Sequence, residues 1–117
     1  MKYIASASRQ WKSGRGYNKA LLVNADTLGV PGTIVQILRV GPREKIPAHY
    51  HQHATEAFHF LSGSGSMTIG EETVVLHPGD TLVCEANEMH AMENLEDNEW
   101  AYIVFKTNWT DGDSIWM

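Results

Sequence analysis

The sequence of 117 residues contains a single cysteine, Cys84. One cysteine excludes a disulfide within the chain and any zinc site built from several cysteines. It fits a reducing compartment, and we expect a cytoplasmic protein. No window approaches the roughly 20 apolar residues of a membrane span, and no apolar segment of the signal-peptide type follows Lys2. Neither a membrane protein nor a secreted one is expected.

Lysine and arginine are absent from residues 46–105, which hold ten acidic residues and all six histidines. Residues 1–45 carry eight basic and two acidic side chains, and the whole chain has a net charge of −5. A long segment without cations cannot form a groove that follows a phosphate backbone, so nucleic acid is not an expected partner. A segment rich in histidine and carboxylate side chains has the composition expected of a cation-binding site.

Helical periodicity is also missing, whereas short apolar and β-branched runs between turn signals are frequent. We interpret eight of them as strands: 19–24, 33–40, 56–61, 65–69, 73–76, 81–85, 90–95 and 100–105. Short strands at regular spacing predict an all-β sandwich or barrel with antiparallel pairing. The length predicts one domain over residues 1–117, with a leading segment 1–31 and a tail 107–117. Because the tail carries Trp109 and Trp116, we expect it to pack on the barrel or on a second subunit.

Three histidines alternate along one short stretch, at His49, His51 and His53. In an extended strand they share a face, and a bend must bring Glu56, which has the opposite parity, to the same side. A carboxylate buried alone is costly, and a metal ion or another cation is the usual remedy. His90 supplies a further imidazole from a later strand. Three imidazoles and one carboxylate suit one divalent Fe, Mn, Zn, Ni, Co or Cu ion with open coordination positions.

The spacing of these residues resembles the two motifs of small single-domain cupins, over about residues 32–105. The first motif, at about 41–63, is His49-Tyr50-His51, four residues, Glu56, six residues and Gly63. The second, at about 79–94, is Gly79, five residues, Glu85-Ala86-Asn87, two residues, His90, three residues and Asn94.

This resemblance implies a double-stranded β-helix, or jelly-roll, barrel that is often a homodimer and holds its metal in the barrel mouth. It also implies that the metal ligands are His49, His51, Glu56 and His90. A register that uses His51 and His53 leaves only two residues before the glutamate, so we favour His49 and His51.

Two departures from the family pattern concern loops and change no ligand. Seven residues rather than five separate Gly41 from His49, and Glu85-Ala86-Asn87 stands in place of Pro-x-Gly. Asparagine can adopt the left-handed backbone conformation that the glycine would supply.

The remaining polar candidates have simpler interpretations. We expect His53 in a loop near the barrel mouth, His59 on a surface or interface, and His77 in a turn. Cys84 is expected to be a small core or edge residue without a cationic neighbour that would activate its thiol. Asn94 is expected to support the ligands or shape a turn.

An apolar pocket above the metal is a further expectation, although its candidates could equally form an ordinary barrel core. They are Phe58, Phe60, Met67, Ile69, Met92 and Phe105, with His53 at the edge. Because residues 46–105 contribute no cation, we expect a neutral or weakly polar ligand that chelates the metal. An anionic ligand would need Arg39, Arg43, Lys45 or a second subunit.

Such a site suits a metal-dependent enzyme that acts on a small organic molecule by oxygenase, decarboxylase, isomerase or lyase chemistry. Glu56 could bind the metal and release it to act as a base. A dedicated proton-transfer group is not evident, since Tyr50 and His53 are the only candidates in the first motif. A non-catalytic small-molecule or sugar-binding module with a bound metal therefore stays open as the alternative.

Overall fold

The computed structural model describes all 117 residues and consists of two antiparallel sheets packed face to face. The strands are β1 Trp11–Ser13, β2 Asn18–Val23, β3 Ile34–Val40, β4 Lys45–His51, β5 Thr55–Ser62, β6 Gly65–Ile69, β7 Glu72–Leu76, β8 Thr81–Cys84, β9 His90–Asn94, β10 Trp100–Thr107 and β11 Ser114–Trp116. Helical structure is limited to a 3-10 turn, Ser6–Ser8, and one short helix, α1 Ala25–Leu28. None of these helices has the length and hydrophobicity that a transmembrane helix requires.

The strand order is β1-β2-β3-β10-β5-β8 in one sheet and β11-β4-β9-β6-β7 in the other. From β3 onward the chain crosses repeatedly between the sheets, and every strand pair is antiparallel. This arrangement is a jelly roll, so the predicted all-β barrel is confirmed.

Alternating inward-facing side chains from both sheets form a core of eleven buried residues inside the barrel. Its centre is aromatic, since Phe60 stacks on Trp100 with ring centroids 5.6 Å apart and Tyr102 packs 5.4 Å from Phe60. Gly65 lies so close to this group that a Cβ atom would be 2.5 Å from the Trp100 ring. Any larger residue at position 65 would therefore displace the indole.

Two loop predictions can be compared directly with the backbone. Asn87 has φ of 68°, the left-handed conformation expected for the residue in place of the motif's glycine. Asn94 is fully buried and shapes a turn, because its Nδ2 donates to the carbonyl oxygens of Val40, Gly41 and Asn98. It joins the start of the β3–β4 connection to the loop that follows β9.

The tail packs on the barrel of its own chain, where β11 pairs with β4. Ser114 lies opposite His51, and Trp116 lies opposite His49. The last residues of the chain therefore form one wall of the region that contains the first motif.

Candidate metal centre

β4 and β9 of one sheet and β5 of the other bring the predicted ligands together inside the barrel. His49 and His51 lie on β4, and His49 is directly paired with His90 on β9. The potential ligand nitrogens of these three residues all lie within 4.8 Å of one another. The connection 52–54 ends β4 and starts β5 in a new direction, so Glu56 reaches the same group. Its Oε1 lies 2.8 Å from His51 Nε2 and 3.4 Å from His90 Nε2.

Backbone carbonyls orient two of the imidazoles. His49 Nδ1 lies 2.9 Å from the carbonyl oxygen of Pro47, and His90 Nδ1 lies 2.9 Å from that of Glu88. A carbonyl oxygen only accepts, so each Nδ1 carries a proton, and Nε2 is the nitrogen that can bind a metal ion when it is deprotonated. Metal-binding histidines are commonly held in this way through the nitrogen that does not bind the metal.

Two buried polar atoms in the cluster indicate that it is a cation-binding site. His51 Nε2 and Glu56 Oε1 are buried and lie 2.8 Å apart, yet neither atom has a hydrogen bond of good geometry. Buried polar atoms left unpaired are costly, and a shared cation would satisfy both. Imidazole nitrogens and a carboxylate oxygen are donors that borderline divalent metals accept. The residues present therefore fit a divalent transition-metal ion.

The electrostatics of the cluster also favour a cation. Burial, reinforced by the neighbouring His90, lowers the pKa of His49 to about 4, so its ring is neutral near pH 7. Burial opposes ionisation of Glu56, but its close contacts with His51 and His90 and the charge of Lys106 hold the carboxyl pKa well below its usual range. Burial likewise disfavours charged His90, yet Cys84 and Glu56 raise its pKa to about 10. His49, His51, His90 and Glu56 would hold a divalent ion at this place, and His90 would have to lose its Nε2 proton to take part.

A cavity of about 70 Å³ lies against the cluster. Its apolar wall includes Phe58, Met92 and Val104, and its polar wall includes Tyr17, Lys19, Gln36 and Lys106. Since one water needs roughly 10–15 Å³ by this measure, the space can hold a few waters or a small organic molecule.

Only some of the predicted pocket residues line this cavity. Phe58 and Met92 do, whereas Phe60 and Met67 belong to the core beyond it. The prediction for Phe105 was wrong: its parity on β10 is opposite to that of Lys106, and it faces outward with 37% exposure.

His53 also lies outside the cavity, which corrects its inclusion among the pocket residues. Its side chain is 62% exposed, and its Nδ1 lies 2.8 Å from Asp113 Oδ1. The bend after β4 turns this imidazole away from His49 and His51. His59 and His77 are exposed on the surface.

Several residues around the site were not predicted from the sequence. Trp116 stacks on His49 with ring centroids 4.1 Å apart, and Ser114 Oγ lies 3.1 Å from His51 Nδ1. Cys84 is buried as expected, but its sulfur lies 3.3 Å from His90 Nδ1. Lys106 could have been found from the strand alternation, because it continues the inward-facing positions of Tyr102 and Val104.

The family model of the cupin domain matches residues 36–105. The chain therefore belongs to the cupin family, as its two motifs predicted.

Two curated relatives match about half of the chain. The mannose-1-phosphate guanylyltransferase RfbM of Salmonella typhimurium is 34% identical over 61 residues, which are 52% of this chain and 13% of that protein. The quercetin 2,3-dioxygenase of Bacillus subtilis is 34% identical over 61 residues, which are 51% of this chain and 18% of that protein. The matched part thus spans less than a fifth of either relative.

Among solved structures, KdgF from Halomonas sp. superimposes with a TM-score of 0.81 at 16% identity, covering 95% of this chain and 96% of that one. At this identity the likeness establishes the shared fold.

Proposed function

We propose that this cupin is a metal-dependent enzyme that acts on a small organic molecule. The observation that carries the proposal is the placement of three buried imidazoles and one carboxylate in the wall of a cavity of about 70 Å³. A structural metal site is normally closed by its protein ligands, whereas this donor group borders free space. An exchangeable water or substrate atom can therefore be accommodated beside it.

Each residue has a distinct part in the proposed reaction. His49, His51, His90 and Glu56 would hold the ion, which supplies Lewis acidity toward a substrate carbonyl, carboxylate or bound oxygen. Glu56 Oε2 lies 3.9 Å from Lys106 Nζ, so the carboxylate is available to accept a proton and the ammonium to donate one. Phe58 and Met92 exclude water from one side of the cavity.

The reaction type remains among oxygenase, decarboxylase, isomerase and lyase chemistry. The similarity to quercetin 2,3-dioxygenase is support for including an oxygenase. A non-catalytic binding module with a bound metal is the alternative. The cytoplasmic location, the homodimeric state and the lack of nucleic-acid and membrane partners stay predictions.

Elemental analysis of protein purified without an affinity tag is the first test, and we expect close to one transition-metal ion per chain. A His49→Ala variant provides the matched control, since it removes one ligand nitrogen. Metal-loaded protein is then screened against small oxo acids, hydroxy acids and flavonoids, with oxygen uptake, carbon dioxide release and substrate loss measured. Absence of metal after reconstitution would overturn the proposal. If the protein binds metal and a ligand but turns over no substrate in any assay, it is instead a binding module.

A further inference from the structure

We propose that the ligand of this cavity is a small organic acid, whose carboxylate is bound by Lys106 and Lys19 while another oxygen faces the histidine cluster. The inference rests on the proposed function, since it names the substrate class of the same site. It reverses the expectation of a neutral ligand that the cation-free segment suggested.

Lys106 is the first cation after that segment, and the fold directs it inward. It lies on β10 directly opposite Glu56 of β5. Its side chain is only 13% exposed and lines the cavity. Lysine is rarely buried to this extent without an ionic partner. The position therefore requires an anion close by.

Glu56 alone does not meet this requirement. The distance from Lys106 Nζ to Glu56 Oε2 is 3.9 Å, longer than the roughly 2.7–2.9 Å of a charge-assisted hydrogen bond. The carboxylate also faces His51 and His90 through its other oxygen. When a metal ion binds there, the charge of Glu56 is shared with it, and the three donor hydrogens of the Lys106 ammonium still lack an acceptor.

Lys19 adds a second cation to the same cavity. It lies on β2 opposite Leu38 of β3, and it lines the cavity together with Lys106. Lys19 has no carboxylate partner in the chain, whereas the exposed Lys45 is 4.0 Å from Glu93. Two lysines and a divalent ion would face one carboxylate, Glu56, which leaves an excess of three positive charges.

An anionic ligand would offset this excess, and the space available selects a small one. A carboxylate accepts hydrogen bonds from both ammonium groups at once. Gln36 and Tyr17, which line the same cavity, can bind further oxygen atoms of such a molecule. Selectivity for the acid over its uncharged analogue follows, because a neutral group would leave the lysines unpaired.

The test compares malonate with malonamide, an uncharged analogue of similar shape, by isothermal titration calorimetry. The protein is used both metal-free and reconstituted with zinc, which has no redox chemistry. The variants are Lys106→Met and Lys19→Met, and Lys45→Met is the control for loss of an exposed lysine. Metal content and thermal unfolding are measured for each.

We expect wild-type protein to bind malonate at least about tenfold more tightly than malonamide. Lys106→Met should weaken malonate binding by about 10- to 100-fold, as removal of a charge-assisted contact predicts. The affinity for malonamide should stay within about twofold of the wild-type value. Lys19→Met should weaken malonate binding in the same way, and Lys45→Met should change the affinity for neither ligand. A purely structural role for Lys106 would weaken both ligands equally and would contradict the proposal.

Equal binding of the two ligands by wild-type protein would also overturn it. The two proposals fail in distinguishable ways. Failure to load metal counts against the proposed enzyme, while the charge preference is still measured on the metal-free protein. Normal metal loading without a preference for malonate counts against the organic-acid inference alone.

Discussion

His51 and His53 are two residues apart, but their imidazoles occupy different environments. His51 is buried in the cluster, with its Nε2 2.8 Å from Glu56, whereas the His53 side chain is 62% exposed. We expect His51→Ala to lose the bound metal, because it removes a donor from a small ligand set. His53→Ala should retain close to one ion per chain. Elemental analysis after dialysis against a weak chelator measures the difference.

His49→Ala completes this comparison, since the two possible histidine registers share His51. Loss of metal in His53→Ala together with retention in His49→Ala would show that the register is the other one. Thermal unfolding of each variant separates loss of a ligand from loss of the fold.

Alternation along a strand was sufficient to place His49 and His51 on one face, and the two motif spacings added Glu56 and His90. The same rule failed for Phe105 because the sequence pattern does not show which face of β10 is the inner one. Tyr102, Val104 and Lys106 lie on the inner face, as the burial of their side chains shows. Contacts such as Cys84 with His90 depend on the detailed path of the β8–β9 connection.

Asp113 connects the tail to the bend between β4 and β5 through hydrogen bonds. Its carboxylate accepts hydrogen bonds from the backbone N–H groups of His53 and Ala54, at 2.9 and 3.0 Å, and from the His53 ring. Its own carbonyl oxygen accepts from the Gln52 backbone. The tail therefore fixes the bend that aims Glu56 at the cluster.

We expect Asp113→Asn to destabilise the protein by about 2–3 kcal/mol, because an amide cannot accept all of these bonds and buried N–H groups become unpaired. Asp111→Asn, at an exposed position two residues earlier, should change stability little. Urea unfolding of the three proteins at pH 7 measures both effects. Metal affinity should also fall in Asp113→Asn, since the bend holds Glu56.

The effect of Asp113 also has a defined pH dependence. Burial raises the pKa of this carboxyl, but the hydrogen bonds from Ala54 and His53 outweigh burial and lower it. Because the pKa is lower in the folded state, ionised Asp113 stabilises the protein at pH values above the unfolded-state pKa of about 3.9. This stabilisation is lost as the pH falls through the folded-state pKa. The stability difference between wild type and Asp113→Asn should therefore shrink on acidification below about pH 4. A constant difference would show that the charge of Asp113 is not responsible.

The strands that the sequence predicted are those with at least four residues of apolar or alternating pattern, and they correspond to β2, β3 and β5–β10. β4 was treated as extended only to place the histidines. β1 and β11 were not predicted, since three residues carry no recognisable period. β1 pairs with β2 in a local hairpin, whereas the pairing of β11 with β4 joins residues distant in sequence.

For the whole molecule, the separation of charge along the sequence does not persist in the fold. Residues 46–105 have no cation, yet Lys19 from β2 and Lys106 from the end of β10 meet beside their acidic and histidine residues. β2 and β10 lie on either side of β3 in the same sheet. The expectation of a neutral ligand, drawn from the contiguous segment 46–105, did not take these two lysines into account.

The outer face of the larger sheet carries an apolar row that crosses five strands. Val83 pairs with Ala57, Ala57 with Phe105, Phe105 with Val35, and Val35 with Val23. Val83 is 57% exposed and Phe105 37% exposed. Because β8 is an edge strand, the row continues to an unpaired sheet edge, where an apolar surface favours association.

We expect this face to form a homodimer interface, so that sedimentation velocity gives twice the 13.1 kDa of one chain. The double variant Val83→Ser/Phe105→Ser should be monomeric, because an interface of about 800 Å² per partner depends on a few buried apolar side chains. Val75→Ser, which changes an exposed valine of the other sheet, should remain dimeric. A monomeric wild-type protein at tens of micromolar, or dissociation by Val75→Ser instead, would contradict this assignment. Retained metal content in the monomeric variant would further show that each barrel holds its site without the partner.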